Sequence, residues 1–394
     1  MPRTPAARRP TMADVAREAG VSVMTVSYVF SRPQRVSPGV RELVAEAADR
    51  LNYHGPDPAA RSLARGRSNS IGVVVGEGLI YAFDDYQSTR FLAGVAAVCV
   101  EYQHNLVLIP AAGDAGDVAR VREAPVDAYI LWTGVRDGPV LDAVVATGKP
   151  VALQGPAPES VLPAAAGGAA PQVHVVTADD RAAAAAVAAA TFAGAAVPAV
   201  VSFALSPDGT PRIVRGPAVA EVAFAGARAR LAGIEDACRR MGIPWADVAV
   251  AVVARNHRQD ARALLEELAG GASSPDAILA MSDQLALGVL DVLDRHGRRV
   301  PGDVTVSGWD DSPAAAAHDL TSVHQSLEDQ GTRCALLVLG QGGDDGSQSG
   351  RDDALAWRLV ERGSTRRPAG DHRGGNRADT RIPDPGPEPA PRPR

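Results

Sequence analysis

The sequence predicts a small helical head followed by a two-lobed, doubly wound α/β body. Residues 11–53 hold three short helical patterns. From Ile71 onward, short apolar runs alternate with helical segments over about 250 residues, as in doubly wound sheets. A chain of 394 residues is also too long for one small domain. The prediction is therefore of α plus α/β class.

Capping signals place the first two helices of the head. Thr11 and Asp14 have the spacing of a capping box, so a helix can begin at Met12. Gly20 permits a sharp turn, and Ser22 is a good N-cap for the second helix. These signals predict two helices around a three-residue glycine turn.

A third helix is predicted to begin after Ser37, where Pro38 occupies its first position. Three helices in this arrangement are typical of the helix-turn-helix pattern, and a plain three-helix bundle is the alternative. The expected inward faces are Val15, Ala16, Ala19, Val26, Val29, Val40, Val44, Ala47 and Leu51.

Charge separates the head from the body. Residues 1–67 contain 11 arginines and 6 acidic residues, whereas the whole chain has a net charge of −6. A basic head on an acidic body indicates that only the head meets a polyanion, and a solvated arginine-rich tail is the alternative.

The body shows nine apolar runs with the character of buried parallel strands. They are "IGVVV", "NLVLIP", "DAYILW", "PVALQ", "VHVV", "AVVSFAL", "VAVAVVA", "AILAM" and "VTVSG". Helices are expected over 89–102, 180–192, 225–241, 260–268 and 283–296. The stretches "APESVLPAAAGGAAPQ" and "SPDGTPRIVRGPAVAEVA" are expected to be loops.

Composition sets the predicted domain limits. The predicted divisions are a disordered start (1–10), a helix-turn-helix domain (11–54), a hinge or linker (55–70), a two-lobed domain (71–365) and a disordered tail (366–394).

Several classes of protein are not expected. Cys99, Cys238 and Cys334 form no disulfide or metal-ligand pattern, which is consistent with a reducing cytoplasm. No apolar run has the length of a membrane span, and the first ten residues do not resemble a secretory signal. Nucleotide-binding, protease and esterase motifs are absent, so we expect no enzyme, no cofactor and no metal site.

Three segments in order resemble the head of the lac-repressor (LacI) family of bacterial transcription regulators. They are "TMADVAREAGVSVMTVSYVFS", "VSPGVRELVAEAADRLNY" and "PAARSLARG". The resemblance extends over residues 11–365 and implies a helix-turn-helix head, a hinge helix, and a two-lobed effector domain related to periplasmic binding proteins.

The resemblance also implies roles in DNA binding. Val23 and Met24 would read bases, and Thr25 and Ser27 would reach phosphates or nearby bases. Leu63 matches the hinge leucine that wedges a minor-groove step, with Ala60 packed beside it. The complete set of DNA-binding candidates is Ser22, Val23, Met24, Thr25, Ser27, Tyr28, Asn52, Ala60 and Leu63.

Tyr28 departs from the family pattern, since many members have arginine at this position. Arginine can donate hydrogen bonds to guanine O6 and N7 at the same time, whereas tyrosine offers one hydroxyl and a flat ring. We therefore expect a different base preference at this position, through one hydrogen bond or contact with a thymine methyl group.

The body carries further family segments: "GARARLAG", "AMSDQLALGVLDVLDRHGRRVPGDVTVSGWDD" and "TSVHQSLEDQG". They imply effector-binding roles for Arg230, Asp283 and Gln325. An arginine and a carboxylate can grip hydroxyls or a heterocycle, and Trp309 and Tyr81 offer faces for a ring. Gln154 and Glu77 complete the effector-binding candidates.

The expected function is sequence-specific DNA binding by a homodimeric transcription regulator, with repression favoured. Its partners would be double-stranded, pseudo-palindromic operator DNA and a small effector such as a sugar or nucleoside, with no membrane contact. The alternative is a cytoplasmic small-molecule binding protein, or an α/β enzyme, with an incidental helical head.

Overall fold

The computed structural model describes residues 10–55, 66–76, 79–111, 113–132, 138–156, 173–206, 208–270, 274–341 and 353–365. The head contains α1 (Met12–Ala19), α2 (Val23–Ser31), a 3-10 turn at Pro33–Arg35, and α3 (Pro38–Arg50). The hinge helix predicted around Ala60 and Leu63 lies outside the described residues.

The first half of the body then runs in chain order as follows: β1 (Ser70–Val75), α4 (Leu79–Asp84), α5 (Tyr86–Glu101), β2 (Asn105–Pro110), α6 (Asp117–Glu123), β3 (Ala128–Trp132), α7 (Pro139–Val145), β4 (Val151–Gln154) and β5 (Val173–Ala178).

The second half continues with α8 (Asp180–Thr191), β6 (Pro198–Ser202), β7 (Arg212–Arg215), α9 (Ala225–Met241), β8 (Ala249–Val252), α10 (Arg258–Gly270), β9 (Ala277–Ala280), α11 (Asp283–Arg295), β10 (Thr305–Trp309), α12 (Pro313–Ala317), β11 (Thr321–Gln325), α13 (Leu327–Val338), β12 (Asp353–Leu355) and β13 (Trp357–Val360).

The capping box predicted for the head is confirmed. The Thr11 hydroxyl accepts the Asp14 N–H at 3.3 Å, and an Asp14 carboxylate oxygen accepts the Thr11 N–H at 2.9 Å. Gly20 ends α1 in the left-handed region with φ of 67°. The buried head core is Val15, Ala16, Ala19, Val26, Val44, Ala47 and Ala48.

The body consists of two lobes, each built on a largely parallel sheet. The first sheet has the order β12-β5-β4-β3-β1-β2, and the second has the order β13-β11-β10-β9-β6-β8-β7. Only β7 and β13 pair antiparallel with their neighbours in the described sheets. All nine predicted strands are present, which confirms the doubly wound prediction.

The chain passes between the lobes at β5 to α8, at β11 to α13, and at β12 to β13. Helix α13 returns to the first lobe and crosses α5 where Gly94 and Gly331 meet. A Cβ atom at either glycine would collide with backbone of the opposite helix, so the close crossing requires both.

One feature of the second lobe differs from the sequence prediction. The stretch containing Arg212–Arg215 was expected to be a loop, and it contains β7. This short edge strand has an arginine at each end and two apolar residues between them, and it is stabilised by pairing with β8, a contact that local propensity does not reveal. The other predicted loop, residues 157–172, lies outside the described residues, so it stays a prediction.

Candidate functional sites: an exposed helix in the head and a cleft between the lobes

Helix α2 is fixed by its first residues. The Ser22 hydroxyl accepts the Thr25 N–H at 3.1 Å and lies 2.8 Å from the Thr25 hydroxyl oxygen. This cap satisfies an N–H that the start of a helix otherwise leaves unpaired. Both hydroxyls are therefore already engaged at the N-terminus of α2.

The opposite faces of α2 differ sharply in exposure. Val26 is fully buried in the head core, whereas Val23 is 47% and Met24 is 64% exposed. Ser27 and Tyr28 are half-buried. The outward face of α2 is thus open for contact, and its residues are those that the sequence suggested for DNA.

The remaining head candidate, Asn52, lies just after α3 and is exposed. Its φ of 55° turns the chain, and the next residue, Tyr53, packs edge-on against Phe30 with ring centroids 5.7 Å apart. Asn52 therefore marks the turn by which the chain leaves the head. Ala60 and Leu63 fall outside the described residues.

The cleft between the lobes contains a cavity of about 560 Å³. Residues just beyond β1, β6, β8 and β10 line it, together with the ends of β3, β4, β5 and β11. This is the edge at which parallel α/β sheets bind ligands, because loops at the carboxyl ends of strands converge there. The cavity includes Arg230, Gln325 and Gln154 of the predicted effector residues.

Arg230 projects from α9 and already has protein partners. Its Nε lies 3.2 Å from an Asp180 carboxylate oxygen, and its Nη1 donates to the Met281 carbonyl at 2.7 Å. The guanidinium carbon lies 4.0 Å from the ring centroid of Trp309. The side chains of Arg230 and Asp180 are only 12% and 11% exposed, so the pair is nearly withdrawn from solvent.

The structure places Asp310, and not Asp283, on the cavity wall. Asp283 is buried, and its carboxylate accepts the Ser312 N–H at 2.7 Å and the Ser322 hydroxyl at 2.7 Å. Burial raises the pKa of Asp283 to about 6, although these hydrogen bonds oppose the shift. Asp283 therefore supports the loop after β10.

Asp310 follows β10 with an unusual φ of 114°. Burial, and next the nearby Asp283 charge, raise the pKa of the Asp310 carboxyl well above its usual range. The Arg230 charge and the Asp283 backbone N–H, at the start of α11, oppose this shift in pKa. The Asp310 carboxyl therefore lies at the cavity wall, close to Asp283 and Arg230.

A hydrogen bond joins the two lobes at this point. Gln87 Nε2, from α5 of the first lobe, donates to the Asp310 carbonyl at 2.8 Å. Asp85 caps the same helix through the Ser88 N–H and hydroxyl, and it also lines the cavity. Both lobes therefore contribute polar groups to one wall of the cleft.

The other effector candidates occupy different positions. Gln154 Nε2 donates to Gln330 Oε1 at 2.7 Å, while Gln154 Oε1 is buried with no partner among the described residues. Trp309 is 1% exposed and packs in the core beneath Arg230, outside the cavity lining. Glu77 and the side chain of Tyr81 lie outside the described part of the structure.

The sequence did not single out Asp310, Asp180, Asp85 or Gln87. A signal existed for Asp310, since it follows a predicted strand within a recognised family segment. Asp180 also begins a helix directly after a strand. No local signal identifies Gln87, because its partner is 223 residues away.

Two general searches of the described residues give negative results. No cluster of three or more histidine, cysteine or acidic side chains is arranged to hold a metal ion there. Within the same residues, every helix is too short or too polar to cross a membrane.

Two family models match the chain. Residues 11–56 match the bacterial regulatory proteins of the lacI family, and residues 218–365 match the periplasmic binding protein-like domain. The first match covers α1, α2 and α3, and the second covers much of the second lobe and its return to the first.

Similar proteins cover nearly the whole described architecture. An HTH-type transcriptional regulator of Mycobacterium tuberculosis is 33% identical over 84% of this chain and 91% of its own length. The HTH-type transcriptional regulator IpsA of Corynebacterium glutamicum is 30% identical over 84% of this chain and 90% of its own length.

Among solved structures, the transcriptional regulator CelR in complex with cellobiose is 26% identical, with a TM-score of 0.59. The match covers 90% of this chain and 100% of that one. The head, the two-lobed body and these similarities together show that the chain belongs to the LacI family of DNA-binding transcription regulators.

Proposed function

We propose that this protein is a homodimeric, cytoplasmic repressor whose operator binding is controlled by a neutral, hydroxyl-rich effector of the sugar or nucleoside class. The observation that carries the effector class is the pairing of the cavity's buried arginine, Arg230, with Asp180. The resemblance to the lac-repressor (LacI) family supports repression.

The pairing of Arg230 argues against an anionic effector. Asp180 already balances its charge at 3.2 Å, and the Met281 carbonyl occupies Nη1. An incoming carboxylate or phosphate would place a second anion beside Asp180, at an arginine whose charge that carboxylate already balances. Arg255 is likewise held by both oxygens of Asp260.

The acceptors favour a ligand that donates hydrogen bonds. Asp310 lines the cavity, and its carboxyl forms no ion pair within the described part of the chain; the side chain of Gln154 lines the same cavity. Hydroxyl groups of a sugar or nucleoside supply such donors without adding charge. Trp132 and Phe203 add apolar wall for the faces of a ring.

Dimerisation follows from the size of one head. A single helix-turn-helix contacts few base pairs, and two heads related by a twofold axis read a pseudo-palindromic operator. Effector contacts to both lobes would change their relative arrangement and so the separation of the heads. Couplings of this kind are typically about 1–3 kcal/mol.

Selection of duplexes from a randomised library with the full-length protein tests DNA recognition. We expect a pseudo-palindromic site whose affinity falls steeply with salt, because bound phosphates release counterions. Failure to enrich any duplex contradicts the regulator proposal.

A thermal-shift screen tests the effector class. Neutral mono- and disaccharides, polyols and nucleosides are compared with their phosphorylated forms. We expect a neutral compound to raise the melting temperature, and Asp310→Asn to remove that shift. Asp294→Asn, an exposed position on α11, is the control and should keep it. A response only to phosphorylated compounds contradicts the proposal.

A further inference from the structure

Helix α2 carries no charged and no carboxamide side chain along its whole length, "VMTVSYVFS". Arginine, lysine, asparagine and glutamine are the side chains that read guanine or adenine through paired hydrogen bonds in the major groove. Helix α2 therefore lacks every side chain that makes such paired contacts. Its base contacts are limited to methyl and ring surfaces and to single hydroxyl groups.

The outward positions of α2 present mainly apolar surface. Met24 and Tyr28 are four residues apart, so they share one face, which lies opposite the buried Val26. Met24 is 64% exposed, and Val23 beside it is 47% exposed. Among the described residues, the Tyr28 hydroxyl has no hydrogen-bond partner.

The hydroxyls near the start of α2 are less available to bases. Ser22 and Thr25 lie within hydrogen-bond distance of each other, and Ser22 also caps the helix. The apolar surface of α2 has one complementary feature in the major groove, the C5-methyl group of thymine. The arginines needed for phosphate contacts lie outside α2, at positions such as Arg17, Arg32 and Arg35.

We propose that α2 reads its operator through thymine methyl groups, with Met24 and Tyr28 as the specificity-determining residues. This inference rests on the proposed function and specifies the chemistry by which the head selects DNA. It predicts enriched half-sites in which T·A pairs occupy the positions facing α2.

The test uses the duplex enriched by the full-length protein and replaces each thymine in turn with uracil, in both half-sites together. Uracil removes only the C5-methyl group and keeps every hydrogen-bonding edge. We expect about fifteenfold weaker binding at one or more positions, the effect of losing the burial of one methyl group in each of two half-sites. A duplex with 5-methylcytosine·guanine in place of that T·A pair should bind the protein more tightly than a duplex with cytosine·guanine there.

Variants assign the effect to residues. Met24→Ala or Tyr28→Ala should weaken binding to the thymine duplex and reduce the thymine-to-uracil ratio at one position towards unity. Tyr28→Phe keeps the ring and should keep the ratio. Met241→Ala, an exposed methionine at the end of α9, is the matched control and should change neither.

Two results overturn the inference. One is binding that changes less than about twofold for uracil at every half-site thymine, well below the effect of a lost methyl contact. The other is uracil sensitivity that both alanine variants leave intact, because another residue would then contact the methyl. In either case an enriched duplex still supports the proposed function, whereas failure to enrich any duplex contradicts that function itself.

Discussion

Helix α2 leaves apolar side chains in solvent, whereas the cleft between the lobes withdraws charged side chains from it. Met24 and Val23 are exposed and become buried only when a partner covers them. Their apolar surface therefore contributes to the free energy of DNA binding and not to that of folding. Arg230, Asp180 and Asp310 are desolvated before any ligand arrives. Substitutions in the cleft should therefore change stability as well as binding, and outward substitutions on α2 should change binding alone.

The largest effect is expected from Arg230→Met. Removing the guanidinium leaves Asp180 buried without its partner, which should lower the free energy of unfolding by about 3–5 kcal/mol. Urea denaturation measures the loss, and adding Asp180→Asn should recover part of it. Arg239→Met, on an exposed turn of the same helix, is the control. Equal losses in the two variants contradict the distinction drawn for the cleft.

Asp283 should make stability depend on pH. Its folded pKa of about 6 lies above the ordinary 3.8, so the folded state binds this proton more tightly. The carboxyl therefore lowers stability progressively as pH rises from about 4 to 6, and the loss persists above that range. Asp283→Asn should match the wild type at pH 4 and exceed it at pH 8, by at most about 3 kcal/mol.

The control for this pH profile is Asp303→Asn. Arg299 hydrogen bonds lower the pKa of Asp303, so its carboxylate stabilises the fold above its ordinary pKa and the substitution should reduce stability at pH 8. Melting temperatures at several pH values measure both variants. Parallel profiles for the two variants would contradict the burial of the Asp283 charge.

Val26→Ala tests the inward face of α2. Val26 is fully buried in a head core of only seven residues, so its truncation should destabilise the head by about 2 kcal/mol. Hydrogen exchange over residues 12–50 should become faster. Met24→Ala, two positions away and exposed, should leave that exchange unchanged. Matching exchange in both variants would remove the contrast between the two faces.

The smallest effect is expected from Thr11→Ala, which removes the capping box of α1. The loss should be about 1 kcal/mol, seen as faster exchange in the first turn of α1. Thr11→Ser keeps a hydroxyl acceptor and should restore most of the protection. No difference between the two variants would mean that tertiary packing alone holds this end of the helix.

The sequence by itself determined the helices of the head and nine strands of the body. Each depends on signals within a few residues: the Thr11 and Asp14 spacing, the turn at Gly20, and apolar runs such as "IGVVV". Such signals are local because capping bonds and strand burial involve neighbouring positions. Strands β7, β11, β12 and β13 were not predicted, because each is short and depends on pairing with other strands of its sheet.

Only the tertiary structure decided which carboxylates line the cleft. Asp283 and Asp310 each follow a strand of the second sheet, so their positions in the chain do not show which of them lines the cleft. Hydrogen bonds from Ser312 and Ser322 hold Asp283 away from the cavity, whereas the loop after β10 places Asp310 at the cavity wall. Arg230 meets Asp180 across 50 residues and Gln87 meets Asp310 across 223, and no local pattern encodes contacts at such separations.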